Sequence, residues 1–369
     1  MTSLYHNRTA QWIAYAVFFL MLACLPLFVT NSFTINLFAR FAVLGMLALS
    51  VSVVWGYGGI LSLGQGIAFG LAAYGMGMTM QMQSQDPVNA PIPSFMLTNE
   101  LTELPALWAP FWHTPTGLAL SLLAPALFFL VFGALMFQAR VVGVFVAIMT
   151  VAMLSAWYSM AFDMQPYTAG FNGISPPAPL QLGEHSVDPY SREAYWIVLA
   201  FLAALTLGLK LLLQTRFGLI VQAVRDDPER ARFLGYSVAA YQVTIFTLSG
   251  IVAAVAGILW VMVVQYVSPT ALEVPFSVSM VIWAAVGGRM SLLGAIIGAF
   301  FVNGVQSFLG DELLYGFLLV LGGLFIVIVR FFPNGLAGLL ELILDRIAQR
   351  RSGMTGKTAA SARPAQEPG

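Results

Sequence analysis

Apolar stretches long enough to cross a bilayer follow one another from Trp12 to Phe331, and polar residues gather only in the gaps between them. A hydrocarbon core of about 30 Å takes roughly 20 helical residues at a rise of about 1.5 Å each. With turn and charge signals marking the boundaries, the pattern predicts ten helical spans: 11–29, 33–55, 60–82, 116–137, 141–163, 195–213, 240–265, 274–288, 291–309 and 313–331. The eighth is short and the third is rich in glycine. The first is long for a secretory signal, and its flank of Thr30, Asn31 and Ser32 lacks a small-x-small cleavage pattern, so it reads as a span. The expected fold class is all-α, a polytopic transmembrane helix bundle with both termini on one side.

Three gaps stand out. Segments 83–115 and 164–194 are long and rich in proline and aromatic residues, which makes them stiff. They lie along the membrane interface or on a partner, although an aromatic belt would have the same composition. The third gap, 214–239, is the one charged run among the spans. The expected organisation is therefore an N-terminus at 1–10, a transmembrane domain at 11–340 and a tail at 341–369 whose small, polar end is disordered.

Composition and charge sharpen this picture. The chain is 59% hydrophobic and 9% charged with mean hydropathy +0.84, whereas a soluble domain carries about 25% charged residues. A formal net charge of zero provides no field to recruit nucleic acid. Placing both termini in the cytoplasm leaves only Arg40 and Arg192 of the 16 Lys and Arg on the outer half, a strong positive-inside bias. The outer loops collect acids instead, among them Asp86, Glu100, Glu184 and Glu273. Cys24 is a lone thiol within the first span, and no intrachain disulfide is open to it.

Within the charged gap, Asp227-Pro228-Glu229 is a helix start. Aspartate caps free amides, proline suits the first turn and glutamate favours the positive end of the dipole. Gly235 is a natural stop. Ala231 and Leu234 share a face, and Arg230 and Arg232 decorate the others. Such a helix is either a solvated connector or a coupling helix seated in a groove of a motor protein.

Residue resemblance favours the second reading. AVRDDPERARFLGYSV (223–238) resembles the ATPase-contacting loop of permeases from binding-protein-dependent ABC importers. GYGGILSLGQGIAFGLAAYGMGM (56–78), VSPTALEVPFSVSMVIWAAVGGRMSLLGAIIGA (267–299) and RFFPNGLAGLL (330–340) resemble signatures of the branched-chain amino acid permease family. Together they cover most of the chain from about residue 40 to 340. The insert at 87–112, preceded by the methionine-rich 74–83, is most similar to the urea-type subunit. Gln65 stands where many relatives carry histidine, Met290 replaces a usual glycine, and 168–174 matches only in part. These departures bear on the substrate rather than on the family.

The resemblance implies a type II-like ABC importer permease in the bacterial inner membrane, translocating urea or short-chain amides. It implies a second homologous permease subunit, two cytoplasmic ATPases that use ATP and Mg, an extracytoplasmic solute-binding protein and surrounding lipid. Arg225, Asp226, Asp227, Pro228, Glu229, Arg230, Arg232 and Gly235 would couple to the ATPases. A branched-chain amino acid is the alternative substrate, and a passive channel for a small neutral solute is the alternative class.

The intramembrane residues are compatible with these readings. Ionisable side chains are nearly absent from span centres, which disfavours proton or sodium coupling. What remains is neutral, and Gly58, Gly59, Ser62, Gln65, Tyr74, Ser277, Ser279 and Asn303 are the candidate path residues. Glycine at 56, 58 and 59 permits a helix break, while Gly64, Gly66, Gly70, Gly75 and Gly77 form a small-residue packing face. The motif Gly-Gly-x-x-Ser-Leu occurs at Gly58–Leu63 and again at Gly287–Leu292, both copies starting helices of the same direction, which is not the mark of an inverted repeat. Three scattered histidines give no metal spacing, and there is no phosphate-cradling G-x-x-x-x-G-K-[ST], so no catalytic or metal site is expected and ATP is hydrolysed by another chain.

Overall fold

The computed structural model describes residues 8–86, 91–183 and 185–309, with positions 322, 323, 326, 335, 336 and 338. Apart from three of those positions, the expected span 313–331 lies outside the described residues, as does the tail 341–369. In chain order the helices are α1 (Arg8–Phe28), α2 (Ser32–Val51, continued by a π-turn at Ser52–Tyr57), α3 (Gln65–Gln83), α4 (Ser94–Thr98), α5 (Thr114–Gln138), α6 (Val144–Asp163) and α7 (Gln165–Thr168). After a short hairpin come α8 (Arg192–Leu213), α9 (Arg216–Asp226), α10 (Pro228–Phe233), α11 (Val238–Val264), α12 (Val274–Gly287) and α13 (Leu292–Leu309). The hairpin, β1 (Leu180–Leu182) on β2 (His185–Val187), corrects the all-α expectation, although it is confined to a loop.

Among the described residues six helices are long and apolar enough to cross a membrane: α1, α2 with its π-turn, α5, α6, α8 and α11. The stretches expected as the eighth and ninth spans form one bent pair instead. α12 and α13 meet at 117°, a broken span or re-entrant loop that brings the candidates to seven among the described residues. With 14 residues, α12 reaches only about 21 Å, short of the hydrocarbon thickness. Glycines at the bend let the two arms close on each other, and a side chain at Gly298 would overlap the carbonyl of Trp283.

Helix α3 is too rich in glycine and glutamine to count as a span on apolarity, yet it is the most enclosed helix of the bundle. From Gln65 to Met82 every residue but Leu71 is buried. It lies between α5, α11 and the 3-10 turn Pro269–Leu272, and its glycines are the points of nearest approach. Gly66 faces Ser277 and Ala271, Gly70 faces Leu272, and Gly75 faces Ser121 and Phe111. Lipid gives apolar side chains no reason to leave it, so such a core is held by close van der Waals contact between small residues. α11 offers the matching surface, where a Cβ on Gly257 would overlap the carbonyl of Phe69.

Polar staples fix the periphery. Asn36 of α2 donates to the carbonyls of Pro189 (2.8 Å) and Val263 (3.0 Å). The Tyr195 hydroxyl of α8 donates to the Leu22 carbonyl of α1 (2.7 Å), holding a helix that is otherwise mostly exposed to the surroundings. The long loops fold back onto the bundle: Trp108 is buried and its indole N–H donates to the Tyr167 carbonyl (3.0 Å), joining 83–115 to 164–194.

Gly257→Ala is expected to lower the detergent-solubilised melting temperature by several degrees, since a methyl group there forces α3 and α11 apart at a cost of about 1–3 kcal/mol. Gly208→Ala, with open space around the position, should leave it unchanged. Equal melting temperatures for the two variants in a fluorescence-detected size-exclusion assay would refute the close-packed α3–α11 seam.

Candidate translocation path and coupling loop

After Tyr57 the chain leaves helical geometry and runs irregularly to Gln65, with Ile60, Ser62 and Gly64 buried. Irregular backbone inside a membrane bundle survives only where the protein pairs its polar groups. The amides of Gly58, Gly59 and Ile60 return to the carbonyls of Val53, Trp55 and Val54 at 3.0–3.1 Å. The Leu63 amide donates to the Thr150 hydroxyl of α6 (3.1 Å), and the Gly64 amide to the Ser62 hydroxyl (3.1 Å).

The start of α3 gathers neutral polar side chains from four elements. Gln65 donates through Nε2 to the Ser249 hydroxyl of α11 (3.1 Å), leaving Oε1 buried without a partner. Ser277 of α12 is beside Gly66, with its hydroxyl also buried and unpartnered. Nine residues further along α3, about 13 Å, the buried Tyr74 hydroxyl likewise has no partner, and nor does the hydroxyl of Thr247 on α11. A buried hydroxyl or amide left unpaired costs about 1–3 kcal/mol, and water or a hydrogen-bonding solute removes that cost.

Next to this line lies a cavity of about 110 Å³, walled by Phe69, Trp260 and Phe276 and rimmed by Tyr266, Ser268 and Thr270. The Ser268 and Thr270 hydroxyls share a hydrogen bond (2.7 Å), and the Tyr266 hydroxyl donates to the Asn172 carbonyl (3.2 Å). No acid or base lines it.

Of the eight candidate path residues, the structure gathers Ser62, Gln65 and Ser277 around the start of α3 and places Tyr74 on the same helix. Ser279 spends its hydroxyl on the Pro275 carbonyl (2.9 Å), and Asn303 spends Nδ2 on the Ala299 carbonyl (2.8 Å) on the α13 arm. Gly58 and Gly59 face Ile245 and Arg225, away from the polar line. The aromatic cavity was not anticipated. Its residues sit in the signature at 267–299 and in α3 and α11, where Phe and Trp at helical spacing read as ordinary core.

At the end of the bundle where α2 breaks, α9 and α10 form the charged loop. Asp227 accepts from the Arg230 amide (2.9 Å), Pro228 occupies the first turn, and Gly235 at φ +90° ends the element. Asp227–Arg230 (3.3 Å) and Glu229–Arg232 (2.7 Å) are exposed pairs worth little individually. Ala231 packs inward on Val224 and Val238. Leu234 departs from the expected shared face: it and Phe233 are exposed, at 73% and 90%. Arg225 departs further, because its guanidinium turns into the protein rather than outward.

A helix bundle with neutral polar side chains buried along α3 and a capped charged loop at one end is the architecture of a membrane transport subunit, and the family of the chain assigns it to that class. The chain belongs to the family described as branched-chain amino acid transport system / permease component, whose model matches residues 33–329. It is a multi-pass inner-membrane protein, and members of this family are transport subunits rather than catalysts. It is 26% identical over 353 residues to the high-affinity branched-chain amino acid transport system permease protein LivM of Escherichia coli K12, covering 89% of this chain and 76% of that one. It is 37% identical over 119 residues to an autoinducer 2 import system permease protein of Klebsiella pneumoniae and 36% identical over 126 residues to a fructose import permease protein of Rhizobium meliloti. Each of these two matches covers 31% of this chain and only 34% of the relative. No solved structure matches the chain.

Tyr74→Phe is expected to keep or raise thermal stability while lowering solute uptake severalfold, because the lost hydroxyl has no protein partner to abandon. A clear loss of stability in a detergent melt would show that the hydroxyl is structural.

Proposed function

We propose that this chain is the permease subunit of a binding-protein-dependent ABC importer and that it translocates a small neutral amide, urea or a short-chain relative. The observation that carries the substrate reading is the neutral line of Gln65, Ser277 and Tyr74 beside a cavity of about 110 Å³. An apolar cavity of about 150 Å³ takes benzene. Urea and acetamide are both smaller than benzene, so a space of this size admits them. The unpaired hydroxyls and amide oxygen can hydrogen-bond an amide, and no charged side chain lines the cavity to pair with a zwitterion.

The termini and the 214–239 loop are cytoplasmic in this reading, supported by the clustering of Lys and Arg in segments at that end. Two ATPase subunits, using ATP and Mg, dock on the exposed Phe233–Leu234 tip and its charged rim. A second homologous permease completes the transmembrane unit, and an extracytoplasmic binding protein delivers solute to the packed loops 83–115 and 164–194. Branched-chain amino acid import is the second reading, favoured by the likeness to LivM along most of the chain.

Cells expressing the full set of subunits should take up labelled urea or acetamide in an ATP-dependent manner, with little uptake of leucine. Asp227→Arg with Arg230→Glu should abolish that uptake while membrane insertion survives. Leucine uptake in place of urea would overturn the amide reading and leave the importer. Flux through this chain alone in liposomes, indifferent to the charge reversal, would overturn the importer.

A further inference from the structure

The second Gly-Gly-x-x-Ser-Leu copy, at 287–292, packs against the π-turn of α2 that immediately precedes the first copy. A Cβ on Gly56 would overlap the Arg289 carbonyl, so the π-turn of α2 touches the α12–α13 bend backbone to backbone. The Ser52 hydroxyl donates to the Arg289 carbonyl (2.9 Å), and the Tyr57 hydroxyl donates to the Met290 carbonyl (2.9 Å). The Arg289 guanidinium lies 5.1 Å from the Trp55 ring centroid, a cation–π contact across the same seam. Gly335, from the third family signature, closes on Gly288.

Arg225 enters this joint from the charged loop. Its Nη1 donates to the Gly56 carbonyl (2.9 Å) and contacts the Met290 sulfur (3.2 Å). The other edge of the guanidinium is held by Asp226, through Nε (2.8 Å) and Nη2 (2.7 Å). Its aliphatic stem lies against Gly59, at φ +70°, where a Cβ would overlap the Arg225 Cγ. Only 20% of the Arg225 side chain is exposed, against 80% for Arg230 and 46% for Arg232. A planar fork held by Asp226 on one edge while it bonds the Gly56 carbonyl and touches the Met290 sulfur with the other is a mechanical link that a flexible ammonium does not reproduce.

We propose that Arg225 is a positioning residue, a pin that carries displacement of the 214–239 loop into the joint between the broken end of α2 and the α12–α13 bend. The ATPase contacts belong to the outward face of α10, and Arg225 acts behind them. The π-turn of α2 and the α12–α13 bend are the paired surfaces that the pin moves, and each adjoins an element of the polar line: α3 follows the first, and α12 precedes the second. This inference rests on the importer reading given above.

The test uses the complete assembly in proteoliposomes with Arg225→Met, which keeps the stem and removes the donors, and with Arg225→Lys. The expected result for Arg225→Met is normal ATPase association and hydrolysis with solute uptake reduced about tenfold or more, the scale of a lost charge-assisted hydrogen bond. Arg225→Lys should recover part of it. A second readout needs no transport: with Cys24→Ala as background, a cysteine introduced by Met290→Cys should change its maleimide reactivity on ATP binding, and Arg225→Met should abolish that change. Failure of Arg225→Met to associate with the ATPases would overturn the pin by making Arg225 a docking contact. An unaltered ratio of uptake to hydrolysis together with a retained reactivity change would also overturn it. Absence of solute uptake by the unmutated assembly would refute the importer reading instead, and the reactivity change would still judge the pin.

Discussion

A backbone that stops being helical inside a membrane bundle must find a partner for every amide and carbonyl it frees, and much of this structure is arranged around that requirement. The break at Ser52–Gln65 is tolerated because α6 lends the Thr150 hydroxyl, the π-turn folds its amides back on itself, and a guanidinium from the charged loop caps the Gly56 carbonyl. Each of these partners comes from a different part of the chain. The break therefore draws α6, α9 and the α12–α13 bend together, and these contacts set where α3 begins.

From that start, α3 is held by shape more than by chemistry. Its glycines admit Leu272 and Ser121, and Gly257 of α11 admits the Phe69 carbonyl, contacts that lipid does not compete for. The polar atoms left over, on Gln65, Ser277 and Tyr74, carry no formal charge. A fixed charge there would need its own buried counterion, and the low dielectric would then favour one ionic solute over neutral ones. Hydroxyls and an amide ask less. Water can satisfy them between transport events, and a solute with an amide can replace that water at little net cost.

Much of this was legible in the sequence, and the gaps have physical causes. Asp227, Pro228 and Gly235 signal a helix start and stop through local backbone chemistry, and the structure places each in that role. The glycine face of α3 was legible for the same reason, since small residues at helical spacing have few other uses in a membrane. The α12–α13 bend was not legible, because two apolar runs flanking a Gly-Gly turn read equally as two spans, and the angle depends on contacts such as Gly298 with Trp283. Helical periodicity puts Leu234 on one face with Ala231, but α10 is only six residues long, and Leu234 sits past its end where that periodicity no longer applies. The hairpin at 180–187 has three-residue strands, too short to raise an alternation pattern.

Arg225 shows most clearly what a linear reading leaves out. In sequence it is one of several charges in a polar run, and a charge in such a run reads as solvated. Its inward turn is caused by vacancies elsewhere: Gly59 has no side chain to fill the space beside the stem, and the π-turn leaves the Gly56 carbonyl facing the loop. Both causes lie about 170 residues away in the chain, at and just before the first copy of a motif whose second copy forms the other wall. The absence of a Cβ at Gly56 and Gly59 thus answers one requirement, that the Arg289 backbone and the Arg225 side chain both close on the end of α2. A link made through backbone carbonyls is also stiffer than one made through side chains, because rotamer freedom cannot absorb the motion it is asked to transmit.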